Sequence, residues 1–250
     1  MGSVNVLRFE GVLEARPAVA VALALGRPST RGVANDAVEL IMELVDVVAR
    51  LAPPEGVEWL TAQLVFDRAG FAPAFAAAGR RLGRAPITEA DATRLRIPWS
   101  SSSGVDECAR AALVLAAIGS LDPEEHVVFV RDLIRRGEIR EQQAVLRVLA
   151  ALPEPERFVD LAIDACRTNV QSVFEAIACD NAYPARHFPD AAFNQLVLKA
   201  LFIGAPVGRI ALLGSRTTDE LVRMVEAYAS ERRAAGRPIP DDARLIRRSP

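Results

Sequence analysis

From Asn35 onward, apolar residues return at helical spacing in segment after segment, and the links between those segments are only a few residues long. Val38, Ile41, Met42, Leu44, Val45 and Val48 make the first stripe, with Asn35 or Asp36 as its expected N-cap and Pro53-Pro54 as its stop. A second helix is expected to start at Pro54, and a third over Phe71 to Leu82. Beyond Val105 the spacing predicts helices over 105–119, 123–136, 138–152, 155–168, 170–180, 189–203 and 217–235. Their links carry their own punctuation, as in Leu121-Asp-Pro, Arg136-Gly, Leu152-Pro-Glu-Pro and Gly204-Ala-Pro. Links this short turn neighbours antiparallel, so the expected fold is all-α: antiparallel helical hairpins in a HEAT-like stack or a compact helical bundle. Composition agrees, because 51% of residues are hydrophobic, much of that alanine, while aromatics are only 6%.

Three segments break the rhythm. Residues 1 to about 34 give no clear period, so 1–50 is read as an N-terminal extension with one amphipathic helix and 51–250 as the helical domain. Ile87 to Gly104, with Pro98-Trp99 and a serine run, is expected to be a long surface loop whose serines cap the next helix. After Ser230 the chain is expected to become extended, with a solvated basic end.

A formal net charge of -2 gives no general attraction to nucleic acid or anionic lipid, and neither is expected as a partner. The apolar run Pro17 to Leu25 is well short of the roughly 20 residues a spanning helix needs. Glu10 and Glu14 offset Arg8 and Arg16, so no positive leader precedes it, and a cytoplasmic protein without membrane insertion is expected. Cys108, Cys166 and Cys179 are odd in number and widely spaced, which suits reduced thiols. With His126 and His187 also far apart, no metal site is expected. Glycine-rich phosphate loops, nucleophile elbows and EF-hand loops are missing, so no cofactor is expected. One local basic run, Gly79-Arg-Arg-Leu-Gly-Arg84, suits either a solvated helix end or contact with a phosphate.

The connector between the helices predicted at 170–180 and 189–203 is the richest in chemistry. Asp180, Asn181, Tyr183 and His187 lie in it, Glu175 on one flank, and Asn194, Gln195 and Lys199 on the other, with Asn169 nearby. Lys199 is the only lysine in the chain. Two readings stand. In the structural one, Asn181 takes a left-handed C-cap, Asp180 and Asn194 satisfy loop backbone, and Tyr183 and Phe188 seal the turn. In the functional one, a polar pocket mouth binds a small metabolite through Asn169, Asn181, Tyr183, Asn194, Gln195, Lys199 or Arg140. There Glu175, Asp180 or His187 would be the candidate acid–base groups.

The run Phe174-Glu-Ala-Ile-Ala-Cys-Asp-Asn-Ala-Tyr-Pro184, followed by His187-Phe-Pro and Phe193-Asn-Gln-Leu-Val-Leu-Lys-Ala-Leu-Phe202, resembles the EboA family. The resemblance extends from about Pro54 to about Arg248 and includes Arg136-Gly-Glu-Ile-Arg-Glu-Gln-Gln-Ala-Val-Leu146. It implies a bacterial gene cluster that moves secondary-metabolite precursors, such as the scytonemin monomer, from cytoplasm towards periplasm. Proteins of the same cluster would then be possible partners. The family brings no catalytic residues with it. The expected function is therefore metabolite binding or an adaptor role, with an enzyme acting on a cluster intermediate, or a protein scaffold, as alternatives.

Overall fold

A computed structural model describes residues 31–99 and 103–246, with side chains from Asp36 onward. The readings of Val4 to Phe9 and of Pro17 to Leu25 lie outside the described residues. Among those described there are thirteen α-helices and four short 3-10 helices. No strand occurs among them, only an isolated bridge between Pro86 and Gly104. The fold is all-α. Among the described residues, no helix is long and apolar enough to cross a membrane. The chain forms two compact units that meet between Glu154 and Pro155.

The first unit contains α1 (Arg31–Leu51), α2 (Pro54–Gln63), α3 (Arg68–Leu82), α4 (Glu89–Ala92), α5 (Val105–Ser120), α6 (Pro123–Arg136) and α7 (Ile139–Val148). Helix α5 is its centre. Every residue from Val105 to Ile118 is buried, and α1, α3 and α7 pack around it. A helix apolar on all sides can sit nowhere else. Helix α1 offers it Leu40, Ile41, Leu44, Val45, Val47 and Val48, all buried. Asn35 and Asp36 fall inside α1 rather than capping it, because the helix is already formed at Arg31.

The described residues 87–99 do not form a surface loop. Thr88 and Asp91 form a reciprocal capping box that starts α4, and Ile87, Leu95 and Trp99 are buried. Arg96 holds the segment to α1, donating from Nε to Glu43 at 3.0 Å and from Nη2 to Glu39 at 2.5 Å. Arg50 Nε reaches Asp91 at 2.8 Å. The apolar side chains of this stretch are too irregularly spaced to register as a helix, yet burial still collects them. Gly104, not a serine, stands at the N-cap of α5.

Two acids enter the apolar α5 at its first turn. Asp106 is fully buried and Glu107 is 2% exposed. Arg110 Nη1 donates to Asp106 Oδ2 at 2.5 Å, and Arg140 Nε to the same oxygen at 2.8 Å. Arg140 Nη2 also bonds Asp106 Oδ1. Arg147 Nε donates to Glu107 Oε2 at 3.3 Å, and Arg110 Nε to the Phe75 carbonyl at 3.0 Å. The cluster thus joins α3, α5 and α7. Burial by itself would raise the Asp106 carboxyl, but hydrogen bonds and charge from Arg140 and Arg110 outweigh it and hold the group below the ordinary carboxylate range.

The second unit contains α8 (Val159–Ala165), α9 (Gln171–Ala178), α10 (Tyr183–His187), α11 (Asp190–Ile203), α12 (Leu213–Arg216) and α13 (Asp219–Ala234). Val173, Phe174 and Ile177 of α9 are buried, as are Phe193, Leu196, Val197, Ala200 and Leu201 of α11. Gly204 ends α11 with φ at 74°, a left-handed conformation that costs glycine least. The C-terminal part departs from expectation. Helix α13 runs to Ala234, a 3-10 turn spans Asp241–Leu245, and Ile246 is only 4% exposed. The Asp242 carboxylate accepts from the Val207 backbone N–H at 2.9 Å, which ties this end of the chain down.

Asp106→Ala is expected to destabilise the protein by about 3–5 kcal/mol in chemical unfolding, because it leaves two guanidinium groups without their shared carboxylate. In the unsubstituted protein, the stability Asp106 supplies is complete above the unfolded carboxyl pKa of about 3.9 and disappears as pH falls through its lower folded value. A difference below about 0.5 kcal/mol would show the cluster to be incidental.

Candidate functional site

The connector between α9 and α11 is built by its polar residues bonding the backbone. Asp180, not Asn181, takes the left-handed conformation, with φ at 50°. Its N–H donates to the Arg209 carbonyl at 2.8 Å, and its carboxylate accepts from Arg209 Nε at 3.0 Å. Because Asp180 turns the chain, Asn181 is left facing inward. Its Nδ2 donates to the Ala176 carbonyl at 3.0 Å, while Oδ1 accepts from the Tyr183 N–H at 3.0 Å. That second bond stabilises the entry into α10, where Pro184 occupies the first turn.

Tyr183 is fully buried and its hydroxyl donates to the Pro155 carbonyl at 2.6 Å. Burial, with a smaller push from Glu156, raises its pKa, so it remains a neutral donor. Phe188 meets its ring edge-on at 6.2 Å, which seals the turn as expected. The His187 ring lies 4.8 Å from that of Tyr183. Burial lowers the His187 pKa despite an opposing pull from Glu156, so the imidazole is neutral near pH 7. Glu175 accepts from Gln171 Nε2 at 2.7 Å, one turn back along α9.

Lys199 lies at the far end of α8 from the connector chemistry. Its Nζ donates to the carbonyls of Cys166 at 2.5 Å and Thr168 at 2.6 Å, and sits 5.2 Å from the Phe174 ring centre. An ammonium there fills the place of the missing helical donors at the end of α8 and opposes its dipole. Burial, against the influence of Lys199, pushes the Cys166 thiol up to about 12, so it stays protonated.

The candidates therefore divide. Asn169, Gln195 and Lys199 come together on the wall of an open groove of about 560 Å³. The rest of its lining comes from α11 (Leu198, Phe202, Ile203) and from α13 (Met224, Ala227, Tyr228, Glu231). Asp180, Asn181, Tyr183 and His187 stay in the connector, and Glu175 stays with Gln171. Asn194 is 2% exposed, and its buried Oδ1 has no partner among the described residues. Arg140 belongs to the other unit, engaged with Asp106. Among the described residues, no three His, Cys, Asp or Glu side chains gather to hold a metal ion.

The α13 wall carries no signal in the sequence, and the nearest pointer to the groove lies on α11. Phe202 lies outside the 193, 196, 197, 200, 201 core stripe and is 72% exposed, an unusual position for a phenylalanine unless it serves a surface.

A family model described as metabolite traffic protein EboA matches residues 45–246. No curated protein and no solved structure matches the chain.

Lys199→Met is expected to lower stability by about 1.5–3 kcal/mol in denaturant unfolding, through loss of charge-assisted bonds to two carbonyls. A neutral effect would mean that those carbonyls find water instead. His187 should titrate below its ordinary value near 6.5 when followed by proton NMR. Its folded pKa is depressed, so the stability it contributes is complete above the unfolded pKa and falls as pH drops from there through the folded value. A midpoint at or above the ordinary value would contradict this.

Proposed function

The chain belongs to the EboA family of metabolite traffic proteins, and on that premise we propose that it works by holding a small metabolite in the groove between α11 and α13. The carrying observation is the lining. Leu198, Phe202, Ile203, Met224 and Ala227 give an apolar surface, while Asn169, Gln195, Tyr228 and Glu231 add hydrogen-bonding groups along it. A volume of about 560 Å³ lies within the roughly 300–1,000 Å³ range of small-molecule sites. This chemistry suits an amphipathic molecule with an apolar body and a few polar ends. Lys199 adds positive charge at one end, although two of its three N–H donors are held by carbonyls. In this reading the protein is cytoplasmic and carries or presents a precursor bound for the periplasm.

Phe202 supports a second reading. At 72% exposure it offers a large apolar contact on the rim of the groove, which also suits docking of another protein. The two readings differ in what remains bound after purification.

Native mass spectrometry of the protein purified from cells that express its gene cluster is expected to find a non-covalent small-molecule adduct. Ala227→Trp places an indole in the groove from an exposed position, so it should abolish the adduct and leave the melting temperature within a few degrees. An adduct that survives this substitution places the ligand elsewhere. A protein partner in place of a small molecule, lost on Phe202→Asp, would support the adaptor reading.

A further inference from the structure

The first unit contains a charge imbalance that neither the groove nor the connector explains. Around the start of α5, Asp106 and Glu107 face Arg110, Arg140 and Arg147, and the Gly79–Arg84 basic run supplies a fourth guanidinium. A Cβ built on Gly79 would lie 3.2 Å from Arg84 Nε, 3.5 Å from Asp106 Oδ2 and 3.7 Å from Arg110 Nη2. Arg84 thus folds back over the bare backbone of Gly79, into the cluster. The segment that carries it is held there, because the Val105 N–H donates to the Ala85 carbonyl at 2.9 Å and the Ile87 N–H to that of Ser103 at 3.0 Å.

The two carboxylates have nothing left to offer Arg84. Asp106 Oδ2 already accepts from Arg110 and Arg140, and Oδ1 from Arg140. Glu107 Oε1 accepts from the Gly104 N–H at 3.3 Å and lies 3.3 Å from Arg140 Nη2, while Oε2 is taken by Arg147. Asp91 is matched by Arg50, and Glu141 turns to the start of α7, where it accepts from the Glu138 N–H at 3.0 Å. Four guanidinium groups therefore share two carboxylates. The buried Arg147 Nη1 has no partner among the described residues. Arg140, 31% exposed, and the exposed Arg84 bring the excess to the surface.

Surplus positive charge on two guanidinium groups that both approach Asp106, one exposed and one partly exposed, matches a dianionic oxyanion. We propose that Arg84 and Arg140 form a binding site for a phosphate group, either inorganic phosphate or a phosphate monoester. Phosphate is largely dianionic at neutral pH, with a second pKa of about 6. The glycine at 79 is part of the site, since a side chain there would meet the Arg84 and Arg110 guanidinium groups and the Asp106 carboxylate.

The test is thermal unfolding of the full chain near neutral pH, at constant ionic strength adjusted with chloride. Inorganic phosphate is expected to raise the melting temperature saturably, whereas acetate, a monoanion, has a much smaller effect. Arg84→Gln should weaken phosphate binding at least about tenfold. Its melting temperature in chloride should not fall, since Arg84 makes no hydrogen bond or ion pair with the described residues and its removal lessens the surplus positive charge. Glucose 6-phosphate separates the two sources, with tighter binding than phosphate assigning the site to an esterified metabolite and equal binding to phosphate itself. A phosphate effect no larger than that of chloride, or one that survives Arg84→Gln, overturns the proposal.

Discussion

The buried charge cluster at the start of α5 is the interaction on which the first unit depends. Helix α5 is enclosed on every side, yet it brings Asp106 and Glu107 into that enclosure. A buried carboxylate is tolerated only when paired and hydrogen-bonded. The pairing draws Arg140 and Arg147 from α7, and Arg110 ties the first turn of α5 to the Phe75 carbonyl of α3. Hydrophobic contact can hold α1 against α5 in several registers. Hydrogen bonds among fixed partners allow far fewer, so the cluster sets where α3 and α7 lie along the helix.

In the second unit, polar side chains act chiefly on backbone. Asn181 stands in for a missing turn partner at Ala176 and Tyr183, the Tyr183 hydroxyl takes up the Pro155 carbonyl, and Lys199 closes the end of α8. The short helices here leave many carbonyl and N–H groups outside regular ladders, and each needs a partner when buried. A connector full of reactive side chains therefore reads as chemistry in sequence, while in space most of it is architecture. The residues that line the proposed groove lie mainly on α11 and α13.

The helical periodicity was legible because burial of one face repeats every three to four residues whatever the neighbours are. It placed α6 at Pro123–Arg136 without error and α5, α11 and α13 within a residue or two. It missed α4, α10 and α12, whose few residues are too short to show a period, and it read the Trp99 segment as exposed because irregular apolar residues leave no pattern. The candidate site was legible in part. Asn169, Gln195 and Lys199 could be named from residue type, but their partners Met224 and Tyr228 lie on a helix that only packing brings alongside.

By itself the sequence determined the helical class, the stops at Pro and Gly, the buried stripes of α9 and α11 and the EboA family, since each is written in local spacing or local motif. Tertiary structure decided which polar groups are consumed and which remain available. Lys199 and Asp180 look equally reactive in the chain. One is held by two carbonyl oxygens and the other by Arg209. Arg84, a helix-end arginine in sequence, is left without a matching carboxylate among the described residues. Hydrogen-bond pairing between residues distant in sequence depends on geometry that local spacing does not encode.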